Sequence, residues 1–105
     1  MTEAVLEQLD PHHWRLNGSL TLASVSSIVA QGDRLGARGA TVELDLAGVQ
    51  HGSSAAVALL LEWQERARRA GGKLDLRNCP EALWRIAEFS NVDELMGLDR
   101  PHPTS

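Results

Sequence analysis

The sequence predicts an α/β domain in which a central mixed β-sheet of about four or five strands has helices packed on it. Segments of strand length, with apolar residues in short runs or in alternation, are separated by longer segments that place apolar residues at helical spacing. Strands separated by helices form βαβ units, whose right-handed crossovers pack the helices on a sheet. At 105 residues the chain has room for one core, so we expect a single domain.

Two short strands open the chain. Residues 4–9 and 13–17 have strand character and flank Asp10-Pro11, a turn-forming pair whose proline cannot donate to a ladder. Together these segments predict a leading hairpin.

The first helix is expected to follow a turn over residues 17–21. Thr21 is a candidate N-cap, because its hydroxyl can accept a hydrogen bond from an unpaired amide of the first turn. The residues that recur at helical spacing are Leu22, Val25, Ile28, Val29, Gly32 and Leu35. This helix should end by Gly36 or Gly39.

The middle of the chain predicts a strand, a loop and a long helix. Val42, Leu44 and Leu46 alternate with acidic residues and indicate the strand, and residues 48–52 are the loop after it. The helix then runs from about residue 54 to residue 70, where two glycines stop it. Its predicted core stripe is Ala56, Leu60, Trp63, Ala67 and Ala70.

Three smaller elements follow. Residues 73–77 predict another strand, and Pro80 suits the first turn of a third helix that ends near Phe89. The inner face of that helix is expected to contain Leu83, Trp84, Ile86 and Ala87. Residues 91–96 can form a final short helix with Asn91 as its cap.

The chain divides into a domain over residues 1–98 and a flexible, proline-containing tail over residues 99–105. Its N-terminal segment has neither the basic region nor the continuous apolar region of a signal peptide, so we expect a cytoplasmic location. No apolar run approaches the roughly 20 residues that span a bilayer. We therefore expect no direct membrane insertion, and any membrane association should come through a partner.

Charge argues against nucleic acid as a partner. The formal net charge is -4 and the pI is near 5.5, whereas phosphate binding needs a cationic stripe. The local cluster of Arg66, Arg68 and Arg69 is interpreted as a solvated helix face, because Glu62 and Glu65 precede Arg66 and Arg69 by four residues.

Catalysis and cofactor binding have little support. His12, His13, His51 and His102 do not have the spacing of a helical metal site. His51 near Ser54 lacks an identifiable orienting acid or oxyanion element, and no phosphate-binding or dinucleotide glycine motif is present. The lone Cys79 has no evident base nearby. We therefore predict no catalytic residue, no metal and no cofactor.

The stretch from Leu44 to Leu61 runs a buried strand into a loop and then into a helix that opens on two adjacent serines. It resembles the signature of STAS domains, the small regulatory folds of anti-sigma factor antagonists and of certain transporters. Aligned without gaps, the family's phosphorylatable or partner-contacting Ser/Thr falls on Ser54, and the family's preceding Asp is replaced by Ser53. Its small glycine positions fall on Ala55 and Ala56, which lack glycine's backbone freedom.

Two further segments extend the resemblance over most of the chain. Residues 16–21 resemble the family's strand-end element, with Thr21 in place of its aspartate, and residues 70–76 resemble the turn before the last core strand. Within the family, the chain is most similar to the MlaB-type STAS subunit of the Mla phospholipid ABC transport complex. There, a similar leucine run, residues 59–61 here, follows the serines, and a helix like residues 82–89 follows the last strand.

The resemblance implies that the start of the second helix is a contact site. A helix N-terminus presents unpaired amides and a partial positive charge, so a hydroxyl there can cap the helix or accept a phosphate. The expected partner-binding residues are His51, Ser53, Ser54, Ala55, Ala58, Leu59 and Glu62, and Ser54 is also a candidate phosphorylation site. A simple capping role for Ser53 or Ser54 is the alternative, and Leu59 can instead belong to the core.

Two functions follow from the resemblance. An MlaB-type chain would be a non-catalytic cytoplasmic subunit, peripheral to the inner membrane through its partner. It would bind and stabilise or regulate an MlaF-like ATPase, and through it a permease, in phospholipid transport that maintains outer-membrane lipid asymmetry. The alternative is an anti-sigma factor antagonist switched by serine phosphorylation. The missing acid before Ser54 weakens that alternative, because switch-type members typically keep it.

Overall fold

A computed structural model describes residues 4–35, 39–50 and 53–98. Within these ranges the strands are β1 (Val5–Asp10), β2 (His13–Ser19), β3 (Thr41–Gln50) and β4 (Lys73–Arg77). The helices are α1 (Leu22–Ile28), a 3-10 helix (Val29–Arg34), α2 (Ser54–Arg69), α3 (Glu81–Phe89) and α4 (Asp93–Met96). The described strands form one four-stranded mixed sheet, which confirms the predicted α/β class.

The sheet has the order β1-β2-β3-β4, so its neighbours follow the order of the chain. β1 and β2 pair antiparallel and form the predicted hairpin, whereas β2, β3 and β4 are parallel. Trp14, Leu44 and Leu76 lie side by side on the buried face, and His13, Glu43 and Asp75 lie side by side on the other. The apolar core therefore lies between one face of the sheet and the helices.

β3 is longer than predicted and contains a bulge. The register with β2 shifts by one residue before Gly48, so that Leu46 and Val49, three positions apart, are both buried. A Cβ at Gly48 would overlap the amide end of the Asn17 side chain, so a larger residue there would have to displace that amide. The predicted loop over residues 48–52 is wrong for residues 48–50, which are strand, and residues 51–52 lie outside the described ranges.

The first predicted helix begins as expected but changes type at Val29. Thr21 caps α1 in a capping box with Ser24: the Ser24 amide donates to the Thr21 hydroxyl at 3.3 Å, and the Thr21 amide donates to the Ser24 hydroxyl at 2.9 Å. The indole of Trp63 donates to the Val29 carbonyl at 2.9 Å, and a Cβ at Gly32 would overlap that indole. The segment after Ile28 is consequently a 3-10 helix packed on Trp63, and it ends at Arg34, before both predicted stops.

α2 buries a broader face than the predicted stripe. Ala56, Leu60, Trp63 and Ala67 are buried as expected, and Val57 and Leu59 are buried beside them. Ala70 is exposed, which corrects that part of the prediction: it is the C-cap, and Gly71 after it takes the left-handed conformation with φ +83°.

α3 and α4 agree with the prediction except at the N-cap of α4. Leu83, Trp84 and Ala87 are buried, and Ile86 is half-buried. Asn91 does not cap α4: it lies in the left-handed region with φ +60°, and Val92 is the residue before the helix. Asn tolerates this conformation better than most residues, so Asn91 serves the turn after α3.

No helix in the described ranges is both long enough and apolar enough to cross a bilayer.

The open face of the sheet carries an imidazole held between two carboxylates. His13 lies 2.8 Å from Asp10 through Nδ1 and 3.2 Å from Glu43 through Nε2. The hydrogen bond with Asp10 is the main cause that raises the pKa of His13 above its usual 6.5 and lowers the pKa of Asp10 below 3.8. The protonated imidazole donates to both carboxylates and joins the hairpin turn to β3.

We predict that Gly32→Ala lowers the free energy of unfolding by about 2 kcal/mol or more, because the new methyl group must displace the fully buried Trp63. The exposed neighbour Gln31→Ala is the control and should stay within about 0.5 kcal/mol. Urea unfolding followed by tryptophan fluorescence measures both. Equal midpoints for wild type and Gly32→Ala would show that Gly32 is not needed for the packing of Trp63.

We also predict a pH-dependent contribution from His13. Its raised pKa stabilises the fold fully below pH 6.5, and this contribution is lost as the pH rises through the folded-state pKa. The lowered pKa of Asp10 contributes above 3.8 and is lost on acidification. The melting temperature of wild type should therefore exceed that of His13→Gln by the largest amount between pH 3.8 and pH 6.5. This difference in melting temperature should become smaller by pH 8.5. A difference in melting temperature that grows from pH 6.5 to pH 8.5 would contradict the stabilising role of protonated His13.

Candidate functional site

The starts of α1 and α2 lie at the same edge of the sheet. β2 and β3 are parallel and end opposite each other, with Ser19 beside Gln50. The Leu20 amide donates to the Gln50 carbonyl at 3.4 Å, so the chain leaving β2 stays attached to the end of β3. The helix that follows each strand therefore begins at the carboxyl edge, where α/β proteins usually bind ligands.

Ser53 fixes the start of α2 to this edge. Its hydroxyl oxygen accepts from the Ala56 amide at 3.2 Å as the helix N-cap, and its hydroxyl hydrogen donates to the Leu20 carbonyl at 2.9 Å. The prediction left open which serine is the cap, and the structure assigns that role to Ser53. Both capacities of this hydroxyl are used internally.

Ser54 is different from its neighbour. It is the first residue of α2, it is exposed, and among the described residues its hydroxyl has no hydrogen-bond partner. The first turn of the described helix contains no acidic residue, so the partial positive charge of the helix N-terminus is not neutralised there. This hydroxyl is free to contact a partner or to receive an anionic group.

The other predicted contact residues divide between the surface and the core. Ala58 is exposed one turn after Ser54, and Ala55 and Glu62 are half-buried. Leu59 is only 2% exposed, so the docking role expected for it is wrong and the alternative, a place in the core, is confirmed: α2 lies flat on the sheet and buries more than one stripe. His51 lies outside the described residues.

Along α2, the first charged residue after Ser54 is Glu62, about two helical turns away. Arg66 donates to Glu62 at 3.1 Å and to Asp33 of the 3-10 helix at 2.7 Å, and these bonds raise the pKa of the guanidinium. Further along, Glu65 pairs with Arg68 and Arg69, which confirms the predicted solvated, paired helix face.

Sequence reasoning missed one exposed apolar residue at this edge. Leu22, one of the residues that recur at helical spacing in the first helix, is 75% exposed. It is the first residue of α1 and lies two positions after Leu20, whose carbonyl accepts the hydrogen bond from Ser53. At the end of a helix, spacing alone does not tell which residues the neighbouring element covers.

The reactive groups found in the sequence do not assemble at this edge. Cys79 is half-buried near the start of α3, and burial raises the pKa of its thiol to about 11, so it is a poor nucleophile. His12 and His13 belong to the hairpin turn of the sheet. Within the described ranges no three His, Cys, Asp or Glu residues come together as a metal site.

A family model described as "Mlab, STAS domain" matches residues 4–98. The fold is also similar to two solved structures. The unphosphorylated form of the anti-sigma factor antagonist SpoIIAA has a TM-score of 0.65 and 16% identity, covering 92% of this chain and 99% of that one. An anti-sigma factor antagonist from Mycobacterium paratuberculosis has a TM-score of 0.58 and 17% identity, covering 97% and 87%. No curated protein sequence matches significantly.

We predict that the two serines differ in their effect on stability. Ser53→Ala removes the helix cap and leaves the Leu20 carbonyl without this donor, so unfolding should become easier by about 1 to 2 kcal/mol. Ser54→Ala should stay within about 0.5 kcal/mol, because the hydroxyl has no hydrogen-bond partner among the described residues. Urea titration of both variants measures the difference. A larger loss of unfolding free energy for Ser54→Ala than for Ser53→Ala would show that Ser53 is not the cap.

Proposed function

The chain belongs to the MlaB-type STAS family, and from this membership we propose that it is a non-catalytic accessory subunit of an ABC-type phospholipid transporter. It binds the MlaF-like ATPase of that transporter and stabilises or regulates it. STAS domains are regulatory and interaction domains. The subunit lies in the cytoplasm and reaches the inner membrane only through the ATPase and its permease.

One observation carries the proposal: the start of α2 offers an exposed surface with a free hydroxyl and small side chains. Ser54 and Ala58 are exposed one helical turn apart, and Ala55 is half-buried between them. Small side chains let the backbone of a second protein approach closely, and the Ser54 hydroxyl can pair with a polar group of that protein. Ser53 holds this surface in place through the Leu20 carbonyl, so binding does not have to order it.

The mechanism follows from what such a surface can do. A subunit without reacting groups changes an ATPase only by binding one of its conformations more tightly than another, or by stabilising its assembled state. Docking at Ser54 and Ala58 would therefore raise either the ATP turnover of each complex or the amount of complex. One copy should act on each ATPase chain.

An anti-sigma factor antagonist is the second candidate, because both structural neighbours are described as such proteins. The exposed hydroxyl of Ser54, which has no partner in residues 4–35, 39–50 and 53–98, is the group that a kinase would modify, and the helix N-terminus would stabilise the phosphate. Ser53 weighs against this candidate. It stands where switch-type members keep an acid, and its hydroxyl is already committed to Ala56 and Leu20.

We predict that Ser54→Arg abolishes co-purification of the ATPase and permease while the melting temperature stays nearly unchanged. The arginine fills the space that a closely approaching partner needs, whereas a solvent-facing substitution costs the fold only about 0.5 kcal/mol or less. The matched control is Ala82→Arg, which adds the same side chain to an exposed position of α3. Affinity purification from native membranes, with ATP turnover and complex yield, measures the effect.

Binding by folded Ser54→Arg at the level of wild type would exclude this surface as the interface. Turnover and yield that are both indifferent to the subunit would contradict the transporter function. Intact-mass and peptide spectrometry separate the second candidate: a substantial phosphorylated fraction at Ser54, together with a soluble kinase partner, would favour the sigma-factor function instead.

A further inference from the structure

We propose that α1 forms the second half of the docking surface, and that the partner covers it with an apolar patch bordered by a basic residue. The inference rests on the proposed function and adds the chemistry of the partner's surface. The partner's apolar side chains would contact Leu22 and the exposed residues after it. Its basic side chain would meet the carboxylates of Asp33 and Glu62.

The solvent side of α1 lacks charge. From Leu22 to Gln31 the sequence contains no Asp, Glu, Lys or Arg, in a chain of which 23% is charged. The exposed residues of this stretch are Leu22, Ala23, Ser26, Ser27, Ala30 and Gln31. A helix that only meets water normally places charged side chains on that side, so this face is unusual for a permanently solvated one.

The serines of this face have already used their donors. The Ser26 hydroxyl donates to the Leu22 carbonyl at 3.1 Å, and the Ser27 hydroxyl donates to the Ser24 carbonyl at 2.9 Å. Covering these serines with apolar atoms would leave no hydroxyl hydrogen unpaired, so the desolvation cost is small. An apolar partner can therefore cover the face without polar groups of its own at each serine.

The face is continuous with the start of α2. α1 and the 3-10 helix pack against α2, and the hydrogen bond from Ser53 to the Leu20 carbonyl holds the two helix starts together. Leu22 projects into solvent beside this junction with 75% of its surface exposed. One partner surface that reaches Ser54 would also meet Leu22.

A cluster with net negative charge, formed by Asp33, Glu62 and Arg66, lies at the far end of the surface. Asp33 and Glu62 share the single guanidinium of Arg66, and their side chains remain 68% and 45% exposed. Within this cluster two carboxylates with one cation leave one negative charge. The neighbouring guanidinium of Arg34 lies over the Trp14 ring, 5.0 Å from its centroid, so the cluster favours a Lys or Arg on the partner.

The two apolar residues that are more exposed than Leu22 do not offer such a face. Phe89 and Leu95 are 90% and 77% exposed, but each follows a glutamate, Glu88 or Glu94, which is itself exposed. These residues lie among charges, as isolated surface apolar residues usually do. Leu95 therefore provides a control with nearly the same exposure as Leu22.

The test uses the full chain and the ATPase that co-purifies with it from native membranes, with affinities measured by biolayer interferometry. Leu22→Asp should weaken binding by about tenfold or more, as expected for an anchor at an interface, and Leu95→Asp should not change it. Asp at the first position of a helix is favourable, so the Leu22 variant should remain folded. Asp33→Lys should slow association, and added salt should reduce its difference from wild type.

Loss of binding for Ser54→Arg with full binding for Leu22→Asp would overturn this inference and leave the proposed function standing. Full binding for every variant, or no ATPase bound to wild type, would overturn both. A wild-type dimer that Leu22→Asp converts to a monomer, seen by light scattering, would show that a second copy covers the face, and would also overturn the inference. Faster association of Asp33→Lys would exclude the basic contact.

Discussion

The candidate site depends on one hydroxyl group, that of Ser53. Its oxygen accepts a bond from the first turn of α2, and its hydrogen goes to the Leu20 carbonyl in the segment between β2 and α1. One side chain thus sets the start of α2 relative to both the sheet and α1. The neighbouring Ser54 lies on this fixed backbone, and its hydroxyl has no hydrogen-bond partner within the part of the chain that the structure describes. Ser53 therefore fixes the start of the helix, and Ser54 beside it stays exposed to a partner.

Packing behind the site comes from Trp63 and the β3 bulge. Trp63 is fully buried, bonds to the Val29 carbonyl and occupies the space beside Gly32, and the chain continues from α1 as a 3-10 helix where it packs on this indole. The bulge before Gly48 carries β3 on to Gln50 and therefore brings its end beside Ser19. Both features act on the same side of the sheet and place the starts of α1 and α2 next to each other.

The class of fold and the order of its elements could be predicted, because the alternation of strand and helix patterns is a local property. The bulge could not, because it depends on Asn17 and Gly48 meeting across two strands. Leu22 shares the helical spacing of buried residues but is 75% exposed, and Leu59, for which surface and core were both open, is 2% exposed. Periodicity finds an apolar face but not how far a neighbouring element covers it. The choice between Ser53 and Ser54 as the cap likewise required the position of Leu20, thirty-three residues away along the chain.

The raised pKa of Cys79 gives the chain an internal reporter of its own opening. With a pKa of about 11, only on the order of one thiol in ten thousand is ionised at pH 7 while the fold is intact. Unfolding returns the group to its ordinary pKa of 9.0 and exposes it, which raises the ionised fraction by about a hundredfold. Because the chain contains a single cysteine, alkylation kinetics would report the transient release of the β4–α3 junction at one known atom, without a label or a substitution.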